Sequence, residues 1–450
     1  MGAKMDKIPH FDLLGKFAQK NICYNFSATI DRWTFSCYTI NVQLCTINHL
    51  QKKENLMAKK RVKKPILASK FLMDLLVTFW GKPYFTKRVK LVDNGLLRQI
   101  QPPYIVIANH ASFADVGGLM MLSRPHYPNF IASVTQIAKW PKLIYNLGVL
   151  PKKQFSVDAS LVRDIKYVLS QNRSVAIFPE AKLSVDGTPS PIKPAIAKLI
   201  KLLKVPLVTV CFSGNYLHNP RWAKTKRLCQ LTADVKLAVT AEEITTLSVE
   251  QIHTRILKNL AYDDYQYQLD NQIEIQDDHL VEGLHGILYK CPSCGQEFCM
   301  TAQGNKLACS KCGATVTQNK FGALEGGKFD KVTHWYKWQR ECVAEEISNA
   351  NFVLQDQFVA EKLVGKKFVD CGICNVTCNN NSLSVVGQNV QEVYPRGTFY
   401  TLSFDNEFLY LPTTNAVFRF RRLNNFGITT KFNLAIEEQA NVDEKSTQLR

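Results

Sequence analysis

The chain has 450 residues, 46% of them hydrophobic, and a formal net charge of +18. It is too long for one core, so two or three domains are expected, and its hydrophobic content excludes a chain that stays disordered. The positive charge points to an anionic partner: nucleic acid, an anionic membrane surface, a phosphorylated substrate and an acidic carrier protein all qualify.

Residues 1–56 show no clear periodicity and read as a poorly ordered extension, while Met57-Ala-Lys-Lys-Arg61 has the look of a chain start. Lys59, Lys60, Arg61, Lys63 and Lys64 then precede Ile66 to Trp80, the nearest approach to a long apolar run, broken by Lys70 and Asp74. Spanning a bilayer takes roughly 18 to 20 uninterrupted apolar residues, and no stretch reaches that. A short apolar helix beside cations suits the headgroup region of an anionic membrane; it equally suits an amphipathic helix covering a sheet. With no cleavable signal peptide visible, the fourteen cysteines are read as cytosolic thiols and metal ligands, not as a disulfide framework. The expected location is the cytoplasm, with peripheral contact to the membrane.

Tyr104-Ile-Val-Ile-Ala108 is a continuous apolar run that predicts a strand buried on both faces. Asn109-His110-Ala-Ser-Phe-Ala-Asp115 follows it directly. A neutral imidazole can take a proton from a hydroxyl if a carboxylate holds its other nitrogen, and open α/β sheets place ligands at the carboxyl ends of strands. Taken alone, a His and an Asp at this spacing also fit a solvated loop. Asp158 is a candidate N-cap for a helix with Leu161, Val162, Ile165, Val168 and Leu169 on one face. The strand Ser174 to Phe178 runs into Pro179-Glu180-Ala-Lys182-Leu-Ser184. Pro194 opens a helix striped by Ile196, Leu199, Ile200 and Leu203, and Val205 to Phe212 is another buried strand. Ser248 and Gln251 have capping-box spacing, opening a helix to about Ala261. Alternation of this kind means βαβ units and a mainly parallel sheet flanked by helices.

In this order, the blocks resemble the glycerolipid acyltransferase family that includes 1-acylglycerol-3-phosphate acyltransferase. The family's Asn-His-x4-Asp block is matched without a break at 109–115, its Phe-Pro-Glu-Gly-Thr-Arg-Ser block at Phe178, Pro179, Glu180 and Ser184, and its Val-Pro-led strand at Val205 and Pro206. The Gly-x-Ile-Phe block with its following Arg is met only in part by Gly148 to Gln154. The resemblance covers about residues 65 to 270. It implies transfer of a fatty acyl group from acyl-CoA or acyl carrier protein to a lysophospholipid hydroxyl, with lysophosphatidic acid the favoured acceptor. His110 would be the general base and Asp115 its orienter. Glu180, Lys182 and Ser184 would line the acceptor site. Ala181, Lys182 and Leu183 replace the family's Gly-Thr-Arg, so Lys182, with Lys152 and Lys153, would supply charge without the bidentate fork of Arg. Glycerol-3-phosphate or another hydroxyl acceptor stays open.

Cys291-Pro-Ser-Cys294 and Cys309-Ser-Lys-Cys312, fourteen residues apart and each followed by Gly, make a zinc-ribbon pattern. Four thiolates suit tetrahedral Zn2+ in a structural role, with no position left open for catalysis. Because zinc ribbons often bind nucleic acid, a nucleic-acid-binding protein carrying an inactive transferase-like domain is the competing class. No helix of base-reading residues and no basic-aromatic stripe supports it. Trp335-Tyr-Lys-Trp338 is read as the packed face of a helix over 331–350. Residues 352–436 read as strands separated by Gly and Asn turns. Cys371, Cys374 and Cys378 suggest a second metal site, against which strand alternation would scatter them over opposite faces. The expected domains are 57–275 (acyltransferase), 283–320 (ribbon), the connecting helix 331–350, 352–436 (β-rich), and a frayed polar tail 437–450.

Overall fold

The computed structural model describes residues 64–87, 89–133, 141–152, 158–364, 367–412 and 417–448. The extension 1–56, the cations Lys59, Lys60, Arg61 and Lys63, and Lys153 with Gln154 lie outside these residues.

The apolar runs form the centre of a seven-stranded sheet. Its strands are β1 (Val89–Asp93), β2 (Ile105–Ala108), β3 (Asn129–Ser133), β4 (Leu150–Lys152), β5 (Val175–Ile177), β6 (Leu207–Ser213) and β7 (Cys229–Val239). They lie in the order β1-β7-β6-β2-β5-β3-β4, and every pairing is parallel except β6 with β7. Strand β2 is buried along its whole length because helices cover both faces. Val106 and Ala108 pack with Phe212 and with Leu119 of one helix, α3 (Ala114–Leu122). Ile105 and Ile107 pack on the opposite side with α4 (Ala159–Ser170), α5 (Ala195–Leu203) and α6 (Val249–Asn259). Two predicted caps are formed: Asp158 accepts from the Leu161 amide at 3.1 Å, and Ser248 and Gln251 close a reciprocal capping box. Strands β1, β3 and β7 carry no apolar run long enough to be read from sequence, and β1 is half exposed at the sheet edge.

Ahead of the sheet, Lys70–Leu76 and Lys82–Lys87 are helical and the five residues between them, Val77–Gly81, form a π-turn. After α6, the helix α7 (Asp264–Asp270) leads to the turn of Cys291 and Cys294 and then to four short antiparallel strands over 300–325, with Cys309 ending the second strand and Cys312 in the turn that follows. The helix α8 (Val332–Ser348) and a second seven-stranded sheet over 353–422, antiparallel throughout, complete this part.

The expected frayed tail is corrected. A final helix, α9 (Ile428–Gln448), packs on α8 and buries Phe432, Leu434, Ala435 and Ile436 together with Glu437, which is 1% exposed. Its polar residues read as solvent-facing because their partners lie far away in sequence. The residues from Lys64 onward form one compact unit. One continuous apolar cluster joins Ala111, Tyr216 and Tyr265 of the first part to Cys291, Cys309, Trp335 and Phe432 of the second.

Asn109 ties the sheet's two central strands at their carboxyl ends: its Nδ2 donates to the Phe212 carbonyl at 2.8 Å and its Oδ1 accepts from the Phe212 amide at 2.7 Å. Asn109→Leu leaves both buried backbone groups unsatisfied and should cost about 3 kcal/mol, read by chemical denaturation.

Candidate active site

His110 emerges where β2 ends, and α3 begins four residues later. Its Nδ1 lies 3.2 Å from Asp115 Oδ2, and the same oxygen accepts from the Ser112 amide at 2.9 Å. The Asp115 side chain is fully buried, whereas the imidazole keeps 17% exposure and stacks on Phe178 at 4.4 Å. With the carboxylate accepting, Nδ1 carries the ring proton and Nε2 the lone pair. Nε2 has no hydrogen-bond partner among the described residues. A ring held in this way can accept a proton at Nε2.

The loop after β5 grips the backbone of His110 on both sides. Glu180 Oε1 accepts from the His110 amide at 2.9 Å, Glu180 Oε2 from the Ser190 amide at 2.7 Å, and the Ser184 amide donates to the His110 carbonyl at 2.8 Å. The residues expected to meet an acceptor are thus bound up internally. The Ser184 hydroxyl donates to the Thr188 carbonyl at 2.7 Å and caps the Gly187 amide at 3.0 Å. Lys182 is corrected: its ammonium is buried against Glu437 and Asn433 of α9. Leu183, in the place of the family's Arg, is buried as well. Lys152 lies exposed at the end of β4, and Lys153 is outside the described residues.

Sequence reading missed Asn215 and Asp264. Asn215 Nδ2 donates to Asp115 Oδ1, which leaves Oδ2 to face the histidine. Asp264, at the start of α7, clamps the loop on either side of Asn215 by accepting from the Gly214 amide at 2.9 Å and the Tyr216 amide at 2.6 Å. A lone Asn a hundred residues from its partner carries no local signal. Nor does Asp264, which reads as one more acidic residue at a helix start.

Among the described residues, one cluster can hold a metal ion: Cys291, Cys294, Cys309 and Cys312, whose Sγ atoms all lie within 4.8 Å of one another. Cys291 to Cys312 and Cys294 to Cys309 are each 3.8 Å apart. Sulfurs at tetrahedral corners about 2.3 Å from a zinc ion are about 3.8 Å apart, so the set fits Zn2+. Gly295 and Gly313 turn the knuckles at φ of +74° and +75°. The trio on the second sheet does not converge: Cys374 and Cys378 are buried in the core, Cys371 is half-buried at a bulge in the strand, and among the described residues the three form no metal-holding group. Trp335 and Tyr336 are buried, which leaves neither free to stack on a base.

Phe71, Leu75, Phe79 and Trp80 are exposed on the first helical segment, and Phe113 is exposed beside the histidine. At Gly117 of α3 a β-carbon would meet Phe85 at 3.0 Å and Trp80 at 3.4 Å, so that the missing side chain lets these rings lie against α3. No described helix is long and apolar enough to cross a membrane.

Residues 88–213 match the family model described as Acyltransferase. This stretch is the chain's acyltransferase domain. Among solved structures, the chain is similar to the 1-acyl-sn-glycerophosphate (LPA) acyltransferase PlsC from Thermotoga maritima, at 20% identity and a TM-score of 0.35, over 42% of this chain and 77% of that one. No curated protein matches the chain. The domain holds the whole histidine block and both strands that flank it. Asp264, the ribbon and the second sheet lie beyond its end.

Burial pushes the Glu180 carboxyl up from the ordinary 4.5 to about 7, against the opposing pull of the Ser190 and His110 amides. An acid whose pKa is higher in the fold than in the unfolded chain holds its proton longer in the fold. Stability therefore declines as pH rises between about 4.5 and 7, where the unfolded chain has already ionised. In thermal melts across that window, Glu180→Gln should flatten the decline of Tm with pH; an unchanged slope would assign the decline to other groups.

Proposed function

We propose that the chain is an O-acyltransferase that moves a fatty acyl group from an acyl thioester, acyl-CoA or acyl carrier protein, to a hydroxyl of a lysophospholipid. Lysophosphatidic acid is the favoured acceptor, and phosphatidic acid for phospholipid synthesis the favoured product. One arrangement carries this reading. Within a segment that matches the Acyltransferase family model, a buried carboxylate holds Nδ1 of a partly exposed histidine and leaves Nε2 open.

In the proposed reaction, His110 Nε2 takes the proton of the acceptor hydroxyl as its oxygen attacks the thioester carbonyl carbon. The new C–O bond forms, the tetrahedral oxyanion collapses and the C–S bond breaks. The departing thiolate recovers the proton from the imidazolium, so no covalent enzyme intermediate is required. Asp115 holds the Nδ1 proton and stabilises the imidazolium. The exposed rings of Phe71, Phe79, Trp80 and Phe113 favour peripheral contact with a membrane, where acceptor lipid is concentrated.

One observation favours a second acceptor. With Lys182 taken by Glu437 and Leu183 buried, the loop after β5 presents no free cation to a phosphate. This supports another hydroxyl acceptor, recognised by something other than its phosphate. Incubating the protein with acyl donors and a panel of acceptors, followed by lipid extraction and mass spectrometry, separates the two. His110→Ala should lower turnover by roughly 10^2- to 10^4-fold with the preferred acceptor. Near-parent turnover by a folded His110→Ala protein would end the reading.

We further propose that Cys291, Cys294, Cys309 and Cys312 hold one structural Zn2+. A four-thiolate site keeps no position for water or substrate, so the metal's role is to hold its surroundings folded. Cys291 and Cys309 belong to the apolar cluster that also contains Ala111, beside the histidine. A protein carrying Cys294→Ser with Cys312→Ser should lose stoichiometric zinc in metal analysis and melt at lower temperature. Well below that melting temperature its kcat should persist; fast rescue of lost turnover by added zinc in a folded protein would give the metal a direct part in the chemistry.

A further inference from the structure

The C-terminal helix α9 reaches back to the loop that grips the histidine. Residues 180–184 hold both backbone polar groups of His110, Glu180 taking its amide and Ser184 donating to its carbonyl. Lys182 stands midway between those two contacts, and it is the residue that α9 engages. Its ammonium donates to Glu437 and, at 3.3 Å, to Asn433. Glu437 also accepts from Arg340 of α8 at 2.6 Å and from the Thr401 hydroxyl at 2.6 Å. Arg340 completes the cluster with Glu438 at 2.6 Å. Asn433 fixes the other wall by accepting from the Leu402 amide at 3.0 Å.

Glu437 and Lys182 lie in the interior, 1% and 7% exposed, and Arg340 closes the cluster from its half-buried side. Two cations, Lys182 and Arg340, face the carboxylates of Glu437 and Glu438, with the buried Asp186 carboxyl a third acid within their field. Burial acts to push the Lys182 ammonium down and the Glu437 carboxyl up; the facing cations overcome burial at Glu437 and hold it down at about 2. A buried ammonium without its carboxylate cannot stay in place charged, so the loop's position and the pairing are coupled. The loop also needs an external hold, because Ala181, between Glu180 and Lys182, sits in the left-handed region at φ +62°. That conformation disfavours any residue with a β-carbon.

We infer that Glu437 is a positioning residue for the acyltransferase site: by pairing with Lys182 it fixes the loop 180–184, and through that loop the backbone of His110. The region beyond the acyltransferase domain thus completes the site and is not a detachable module. This rests on the proposed role of His110. A displacement of about 1 Å in a reacting group can cost up to roughly 10^2-fold in rate, so the pairing can matter at a distance from the chemistry.

The test is a double-mutant cycle of Glu437→Gln and Lys182→Met in the full-length protein, with two readouts. The first is steady-state acyl transfer from acyl-CoA to the preferred acceptor. Each single variant should lose roughly 10-fold or more in kcat with both KM values within about twofold of the parent, and the double variant should lose no more than the worse single. The second is amide hydrogen exchange over residues 105–115 without any substrate. Exchange there should quicken in all three variants, while the strand 353–364 keeps its protection. Additive losses, or a folded Glu437→Gln protein with parental kcat and parental exchange, would overturn the inference. If the parent transfers no acyl group to any acceptor, the proposed activity fails and the exchange readout alone decides whether α9 holds the His110 backbone.

Discussion

A carboxylate in a protein interior has to be met by donors, and the donors it recruits determine which parts of the chain can move. Glu180 is fully buried and draws its donors from two different loops, the His110 amide and the Ser190 amide. The turn that carries the imidazole therefore cannot shift without leaving a buried carboxyl oxygen unpaired. Asp115 repeats the device one step outward, accepting from Ser112, from Asn215 and from the histidine itself. Asp264 repeats it again with Gly214 and Tyr216. Three buried carboxyl groups, each collecting main-chain or amide donors, immobilise the segments around one ring. Their proximity raises a cost, since Asp115 acts to raise the pKa of both Glu180 and Asp264. That tension is tolerable because every one of these carboxyl groups has at least two donors.

The resulting histidine has one nitrogen committed and one open, which is the asymmetry a general base requires. It sits at the carboxyl end of β2, with Phe113 exposed three residues further on. The loop after β5 commits Lys182 to the C-terminal helix.

The cysteine knuckles and the second sheet are joined to the acyltransferase domain by shared packing. Ala111 and Tyr216 on one side, Cys309 and Phe432 on the other, belong to a single apolar cluster. Burial on that scale makes independent unfolding of either part expensive, since exposing it costs roughly 25 cal/mol for each Å² of apolar surface. Metal binding at the knuckles would reach the histidine's surroundings through this packing and not through coordination.

How much of this was legible in sequence follows from the range of each interaction. Runs such as Ile105–Ala108 and the caps Asp158 and Ser248 announce themselves because strand burial and helix capping are settled within a few residues. The histidine with its aspartate and the four cysteines are legible for the same reason: one turn sets the first spacing, and two short Cys-x2-Cys turns set the second. Asn215, Asp264 and Glu437 were not, because each matters only to a partner 48 to 255 residues away. The stretch from Glu437 to Gln448 shows the limit most plainly: polar side chains that read as a solvated tail form a helix whose acids face buried cations. Sequence alone determined the sheet's central strands, the pairing of His110 with Asp115 and the gathering of four cysteines, all of them local in origin. Tertiary structure decided which nitrogen of His110 is open, what holds its loop, and that Lys182 answers to Glu437, because burial and pairing across distant segments exist only once the chain has folded.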